Sequence, residues 1–424
     1  MTDPQSHSEA GLGSALQSEL TDIEAPSRPE PTPTSGRISR LLLGASLILV
    51  SFNLRPLFSS LAALMPEIRR ATGASPALSS LLTTTPVLCL GLFAATAPRL
   101  ARRFGAERVI LGLLLLLALG TALRGFGTIP ALLLGSVIAG GAIAVINVLL
   151  PGLVKRDFPD HVAVMTGLYS MSLCAGAALA AGATVPTEAA LGGSWAGALA
   201  IWGAPALLVA LLWTPYAIPP TRGFRGAASA GGGSLLRDPL AWQVTFFMGL
   251  QSALAYCVFG WLAPLLRARG LDSAVAGYAV SFSVVMQMVA CLVAPPLATR
   301  GRDQRTVSFG LLLSAILGFL GCLFAPLGTV WLWAALSGIG QGGLVAVALT
   351  VIVLRAPDTL VAARMSSMAQ SVGYTMAAFG PLVMGLIFTS TGNPQATAGL
   401  VALLGLGCGV AIWGAGQDRI LRPR

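Results

Sequence analysis

Residues 41–68 read LLLGASLILVSFNLRPLFSSLAALMPEI, an apolar run interrupted by Asn53-Leu54-Arg55-Pro56. A helix of roughly 20 residues, rising about 1.5 Å each, crosses the roughly 30 Å hydrocarbon core of a bilayer, so residues 41–66 of this stretch are long enough to span one. Comparable runs return along the whole chain at 77–98, 109–126, 129–154, 162–186, 195–218, 241–266, 273–297, 306–325, 328–354, 362–389 and 396–416. Hydrophobic residues make up 55% of the 424, charged residues 10%, and the mean hydropathy is +0.79, far more apolar than a water-soluble domain needs to fill its core. Runs this long satisfy their backbone in lipid as helices, so the expected fold is all-α and integral to a membrane, with twelve transmembrane helices.

The net charge of +10 would point to nucleic acid in a soluble protein, so the placement of the basic residues decides. If the first span enters from the cytoplasm, that side collects twenty of the 26 basic residues, while the other holds Arg69, Arg70, Arg124, Arg267 and Arg269. The positive-inside rule then puts both termini in the cytoplasm, and the basic balance is topology with no nucleic-acid partner. Residues 1–36 are rich in Pro, Ser and Thr, carry six acids and lack apolar periodicity; a disordered cytoplasmic tail is expected there, not a signal peptide. The Gly/Ser-rich stretch 219–240 reads as a flexible cytoplasmic linker between six-helix halves at 37–218 and 241–416, with 417–424 a second cytoplasmic tail. All six cysteines fall inside spans without C-x-x-C spacing and read as space-filling; no metal or cofactor is expected.

An internal repeat organises the spans. Pro66 and Pro264, Pro98 and Pro296, and Pro159 and Pro357 are each 198 residues apart, and the same offset pairs Asn53 with Gln251, Arg102 with Arg300, Gly140 with Gly338, and Asp160 with Asp358. An even number of spans per copy makes the two halves run the same way through the membrane, the parallel repeat of major facilitator transporters. The stretches NLRPLFSSLAALMPEI, LLTTTPVLCLGLFAATAPRLARRFG, GLQSALAYCVFGWLAPLLRARG and QSVGYTMAAFGPLVMGLIFTSTG resemble the cyanate permease and nitroimidazole transporter branch of that superfamily. The resemblance covers all twelve spans. It implies one polypeptide that moves a small solute by rocking its halves about a site near the midplane, lined by spans one, four, seven and ten; that favours Asn53, Gln251, Tyr256 and Gln341 as ligands. The superfamily signature after span two, roughly G-x-x-x-D-R-x-G-R-R, is altered here to APRLARRFGAER, with Arg102 in place of the acid and Gly105 at the later glycine. Arg102, Gly105, Arg300, Asp160 and Asp358 are therefore the candidate gating residues of the cytoplasmic loops. Span eleven ends in FTSTG, without the His-Asp pair that the resemblance would place there.

Outside the tail, every acid sits at a span end or in a loop, and His7 and His161 lie in the tail and at a span entrance. That supplies no catalytic acid/base pair and no proton carrier at membrane depth, which argues against an embedded enzyme. A receptor would need a folded extramembrane module, and the chain offers only the tail and the linker. Arg55 is the opposite case, about 14 residues or roughly 21 Å up the first span. Bare to lipid it would cost from about 3 to over 10 kcal/mol, so it faces a wet cavity or protein partners. Pro56 deprives the Phe52 carbonyl of its helical donor and allows a kink. A guanidinium there suits a small planar oxyanion or nitro group; the alternative is a strut between helices. Asn53 and Arg55 point some 200° apart on a regular helix, so one of them lines the cavity. Gln370 and Tyr374, four apart, share a face. Asn147, Gln287, Gln251, Gln341 and Gln370 fit helix-to-helix bonding as well as ligand contact. The expected function is a secondary transporter in a bacterial inner membrane, acting as a monomer and moving a small anion such as cyanate. The rival reading is an exporter of neutral nitroaromatic or drug-like compounds.

Overall fold

The computed structural model describes residues 37–218, 235–391 and 393–421, so the expected tail at 1–36 and most of the linker lie outside the described residues. The first span is in pieces: α1 (Arg37–Phe52), α2 (Pro56–Ala63) and α3 (Met65–Thr72). Pro56 brings no N–H to the ladder, and the amides of Asn53 and Leu54 drop back to the carbonyls of Val50 and Ser51, 3.1 Å each, before Pro56 restarts the helix at its first position. The second span is α4 (Pro76–Ala94) with α5 (Ala97–Phe104), bent by 58° at the break. Gly105, at φ 84, ends α5 in a conformation that side chains rarely adopt.

The remaining spans are α6 (Ala106–Leu123), α7 (Ile129–Asp157), α8 (Val162–Ala190), the broken pair α9 (Trp195–Ala200) and α10 (Gly203–Ala217), α11 (Pro239–Ala268), α12 (Ser273–Ala298), α13 (Arg305–Phe324), α14 (Val330–Arg355), α15 (Thr359–Thr391) and α16 (Pro394–Ala415). Among the described residues, eleven stretches are long and apolar enough to cross a membrane, and the bent α4–α5 pair makes twelve. Leu92, Leu211, Leu386, Leu406 and Val410 expose 61–73% of their surface, an apolar coat suited to lipid.

The repeat is visible in how helices touch. Gly140 of α7 sits where a Cβ would meet Pro86 and Cys89 of α4 at 3.1 Å, and at the same offset Gly338 of α14 lies against Ser283 and Met286 of α12. Small residues thus bring the backbones of each half together where lipid provides no hydrophobic drive. Residues Gly44–Arg424 form one compact unit, in which α8 packs on α12, and α15 on α4 and α7, across the line between the halves.

One face gathers the basic loops and helix ends. Arg108 Nε donates to the Ala217 carbonyl (3.2 Å), Arg305 Nε to Trp413 (2.9 Å) and Arg355 Nε to Ala415 (3.1 Å), each engaging a carbonyl at the end of a helix that has no donor of its own. We call this the basic face. On the opposite face, two of the arginines counted on the outer side act as staples. Arg124 is fully buried and donates to the Leu57 carbonyl (3.1 Å), and Arg269 donates to Cys322 (2.6 Å) and Ala325 (2.7 Å). Arg124 is packed away from water there, whereas Arg269 keeps part of its surface exposed.

Candidate functional site

Arg55 occupies the turn between α1 and α2, and α8 holds that turn in place. Ser172 Oγ donates to the Ile48 carbonyl at 2.8 Å, and one helical turn later Gly176 abuts the Phe52 carbonyl so closely that a Cβ would lie 2.1 Å from its oxygen. The carbonyl freed by Pro56 is therefore covered by a glycine, and the break is built into the α1–α8 contact. The guanidinium leaves it half-buried and meets the phenol groups of Tyr256 on α11 and Tyr374 on α15, with the thiol of Cys174 on α8 nearby. The two rings lie 6.5 Å apart between centroids, tilted by 51°. Among the described residues, no carboxylate pairs with Arg55. Arg55, Tyr256 and Cys174 are all half-buried, so protein does not fill all the space around the cluster.

The amides behave differently. Asn53 is buried, and its amide donates to the Leu49 carbonyl at 2.9 Å, one turn back on its own helix. Gln251 turns to Ser252 Oγ (2.9 Å) and the Met248 carbonyl (3.2 Å). Gln341 donates to Ser337 Oγ (3.0 Å) and accepts from Gln287 (3.3 Å), joining α14 to α12. Gln370 donates to Ser366 Oγ (2.7 Å) and across the halves to the Asn147 carbonyl (3.1 Å). Of the seven expected ligands, three converge on one point: Arg55, Tyr256 and Tyr374. The amide nitrogens of all four are committed to protein partners, while the buried Oε1 of Gln251 has none and remains able to accept from a ligand.

Between this cluster and the basic face the halves are sealed. Ser371 and Ser367 of α15 donate to the carbonyls of Gly91 (2.7 Å) and Ala94 (3.0 Å) on α4. Cys174 and Cys291 bring their sulfurs to 4.0 Å across the α8–α12 contact. At the face itself Lys155, the sole lysine of the chain, donates to the Val353 carbonyl at 2.9 Å and to that of Ala356, capping α14 from α7. Asp358 caps α15 through the Val361 amide (2.8 Å) and acts electrostatically on Lys155. Arg156 pairs with Glu107 (2.6 Å) and Asp157 (2.8 Å). Arg102, Arg300 and Asp160 are exposed and take no part in these contacts. Sequence reasoning missed Lys155 and Cys174; the solitary lysine was the available signal, and the cysteine offered none.

Inter-half contacts thus lie between Arg55 and the basic face, and the Major Facilitator Superfamily family model matches residues 41–302. The chain belongs to the Major Facilitator Superfamily. It is 37% identical to the 2-nitroimidazole transporter of Escherichia coli (strain K12) over 92% of this chain and 99% of that one. It is 28% identical to the cyanate transport protein CynX of the same organism over 82% of this chain and 90% of that one. The fold is similar to that of the E. coli fucose:proton symporter FucP, with TM-score 0.69 at 14% identity, covering 89% of this chain and 99% of that structure. The chain is thus a multi-pass membrane transporter of small molecules and not an enzyme.

Proposed function

We propose that the protein moves a small anion, cyanate or a nitro- or oxyanion-like compound, bound at Arg55 and exchanged between the two faces by rocking of the halves. The observation that carries this reading is a half-buried guanidinium near mid-span with two phenols and a thiol around it and no carboxylate partner among the described residues. An anion would receive two parallel N–H donors from Arg55 and O–H donors from Tyr256 and Tyr374, charge-assisted bonds that are the strongest a small solute can find in such a site. The basic face is the cytoplasmic one by the positive-inside rule, so in this conformation the contacts between the halves close the inner side. The relatives that carry cyanate and 2-nitroimidazole by name support the substrate class.

A second reading takes the paired tyrosine rings as a slot for a neutral nitroaromatic, in keeping with the 37% identical relative. Uptake into liposomes by purified wild type, Arg55→Gln and Arg55→Lys, offered cyanate, nitrite, nitrate and 2-nitroimidazole, separates the two. Anion flux that disappears in Arg55→Gln and falls in Arg55→Lys, which keeps the charge and loses the fork, supports the first reading. Nitroimidazole flux that survives Arg55→Gln, with no anion flux, replaces it by the second.

A further inference from the structure

We propose that the notch where α5 turns into α6 on the basic face binds the head group of an anionic phospholipid, with an acyl chain lying along α6. The cavity there has a volume of about 520 Å³ and is walled by Arg102, Arg103, Arg108 and Phe104, with Gly112 and Leu116 further along α6. Arg102 and Arg103 are exposed, and the Arg103 guanidinium lies 5.1 Å over the Phe104 ring, which holds it at the mouth of the notch. Arg108 commits only its Nε to the Ala217 carbonyl, so its two terminal nitrogens remain to meet a ligand. The nearest acid in sequence, Glu107, is buried against Arg156 and does not neutralise the notch.

The apolar half of the site follows from helical spacing. Arg108, Gly112 and Leu116 recur every four residues and form one stripe on α6, about 12 Å from charge to leucine. Gly112 has nothing within 4 Å of where a Cβ would stand, which leaves a slot in the stripe, and Leu116 is exposed beyond it. A free phosphate would use the arginines and leave the stripe bare, whereas a phospholipid fills both, and the stripe faces the layer where lipid lies. The altered signature acquires a reason: Arg102, in place of an acid, adds to the positive charge of the notch. In the second half the same offset puts Gly301 and Thr306 where Arg103 and Arg108 stand, so that loop keeps only one of the three charges in register.

Native mass spectrometry of the full-length protein, delipidated in detergent, tests the assignment with phosphatidylglycerol, cardiolipin and phosphatidylcholine. Glycerol 3-phosphate added as competitor stands for the soluble head group. Wild type is expected to retain anionic lipid over phosphatidylcholine, and R102Q/R103Q to bind it about tenfold or more weakly, since each basic residue near the bilayer surface contributes severalfold. Gly112→Leu, which fills the slot and leaves the charges alone, is expected to lower retention as well while the protein stays monodisperse. R300Q/R302Q, an equal loss of charge on the same face, is expected to change little. Equal losses in the two double variants, equal retention of phosphatidylcholine, unchanged retention in Gly112→Leu, or displacement by glycerol 3-phosphate would each overturn the proposal.

Discussion

Gly176→Ala is the substitution through which the structure makes its sharpest demand. The added methyl would stand 2.1 Å from the Phe52 carbonyl oxygen, 3.1 Å from its carbon and 3.4 Å from Pro56 Cδ. A comfortable carbon-to-oxygen approach is about 3.3 Å, so α8 and the broken turn have to part by about 1 Å. The two nearest of these atoms are backbone and the third belongs to a proline ring, so no flexible tip can swing away. Overpacking of this kind costs about 1–3 kcal/mol, offset by up to about 1 kcal/mol from replacing glycine by alanine in a helix. The larger effect is on function, because Arg55 sits three residues beyond Phe52, and a misplacement of about 1 Å in a positioned group can cost about a hundredfold. Uptake into liposomes should therefore fall about ten- to a hundredfold, while thermal unfolding shows a small loss of stability. Gly182→Ala on the same helix is the control: nothing lies within 4 Å of its Cβ, and it should transport as wild type. If the two variants transport alike, the glycine does not hold the break, and the account of Arg55's placement is wrong.

Tyr256→Phe and Tyr374→Phe keep the rings and remove the phenol donors, so each should weaken anion binding about tenfold, as expected for a hydrogen bond to a charged partner, and leave expression unchanged; binding at equilibrium measures this. Lys155→Gln removes a charged donor from the α14 carbonyls. The balance between closed and open basic faces should shift by about tenfold, read as labelling of introduced cysteines from the basic side. Cys174 and Cys291 should cross-link when a mild oxidant removes one hydrogen from each thiol. Trypsin, cutting the linker at Arg222 or Arg225, should then leave the halves joined on a non-reducing gel, and in Cys174→Ala they should separate; halves that separate in the oxidised wild type would contradict the α8–α12 contact.

The span count, the repeat at 198 residues and the oddity of Arg55 were legible in the sequence, because each depends on properties local to one segment or on comparison of two. A bilayer imposes a length and an apolarity that any reader of the chain can measure. Proline announced the break, since the missing N–H at Pro56 is a covalent fact. The polar assignments were not legible to the same degree. Gln341 and Asn53 looked like cavity ligands by the helix they sit on, yet their amides pair with Ser337 and Gln287 and with the Leu49 carbonyl, and only packing decides which of several available partners an amide reaches. The groups that do surround Arg55 come from α8, α11 and α15, the farthest of them more than three hundred residues away, and no spacing rule links them. Lys155 closes the basic face by reaching the end of α14, a carbonyl acceptor invisible in any list of side chains. The sequence by itself determined the solvent, the spans and the duplicated plan; the site and its seal exist only where separate helices meet, since charge and hydrogen bonding act over a few ångströms of space and are indifferent to distance along the chain.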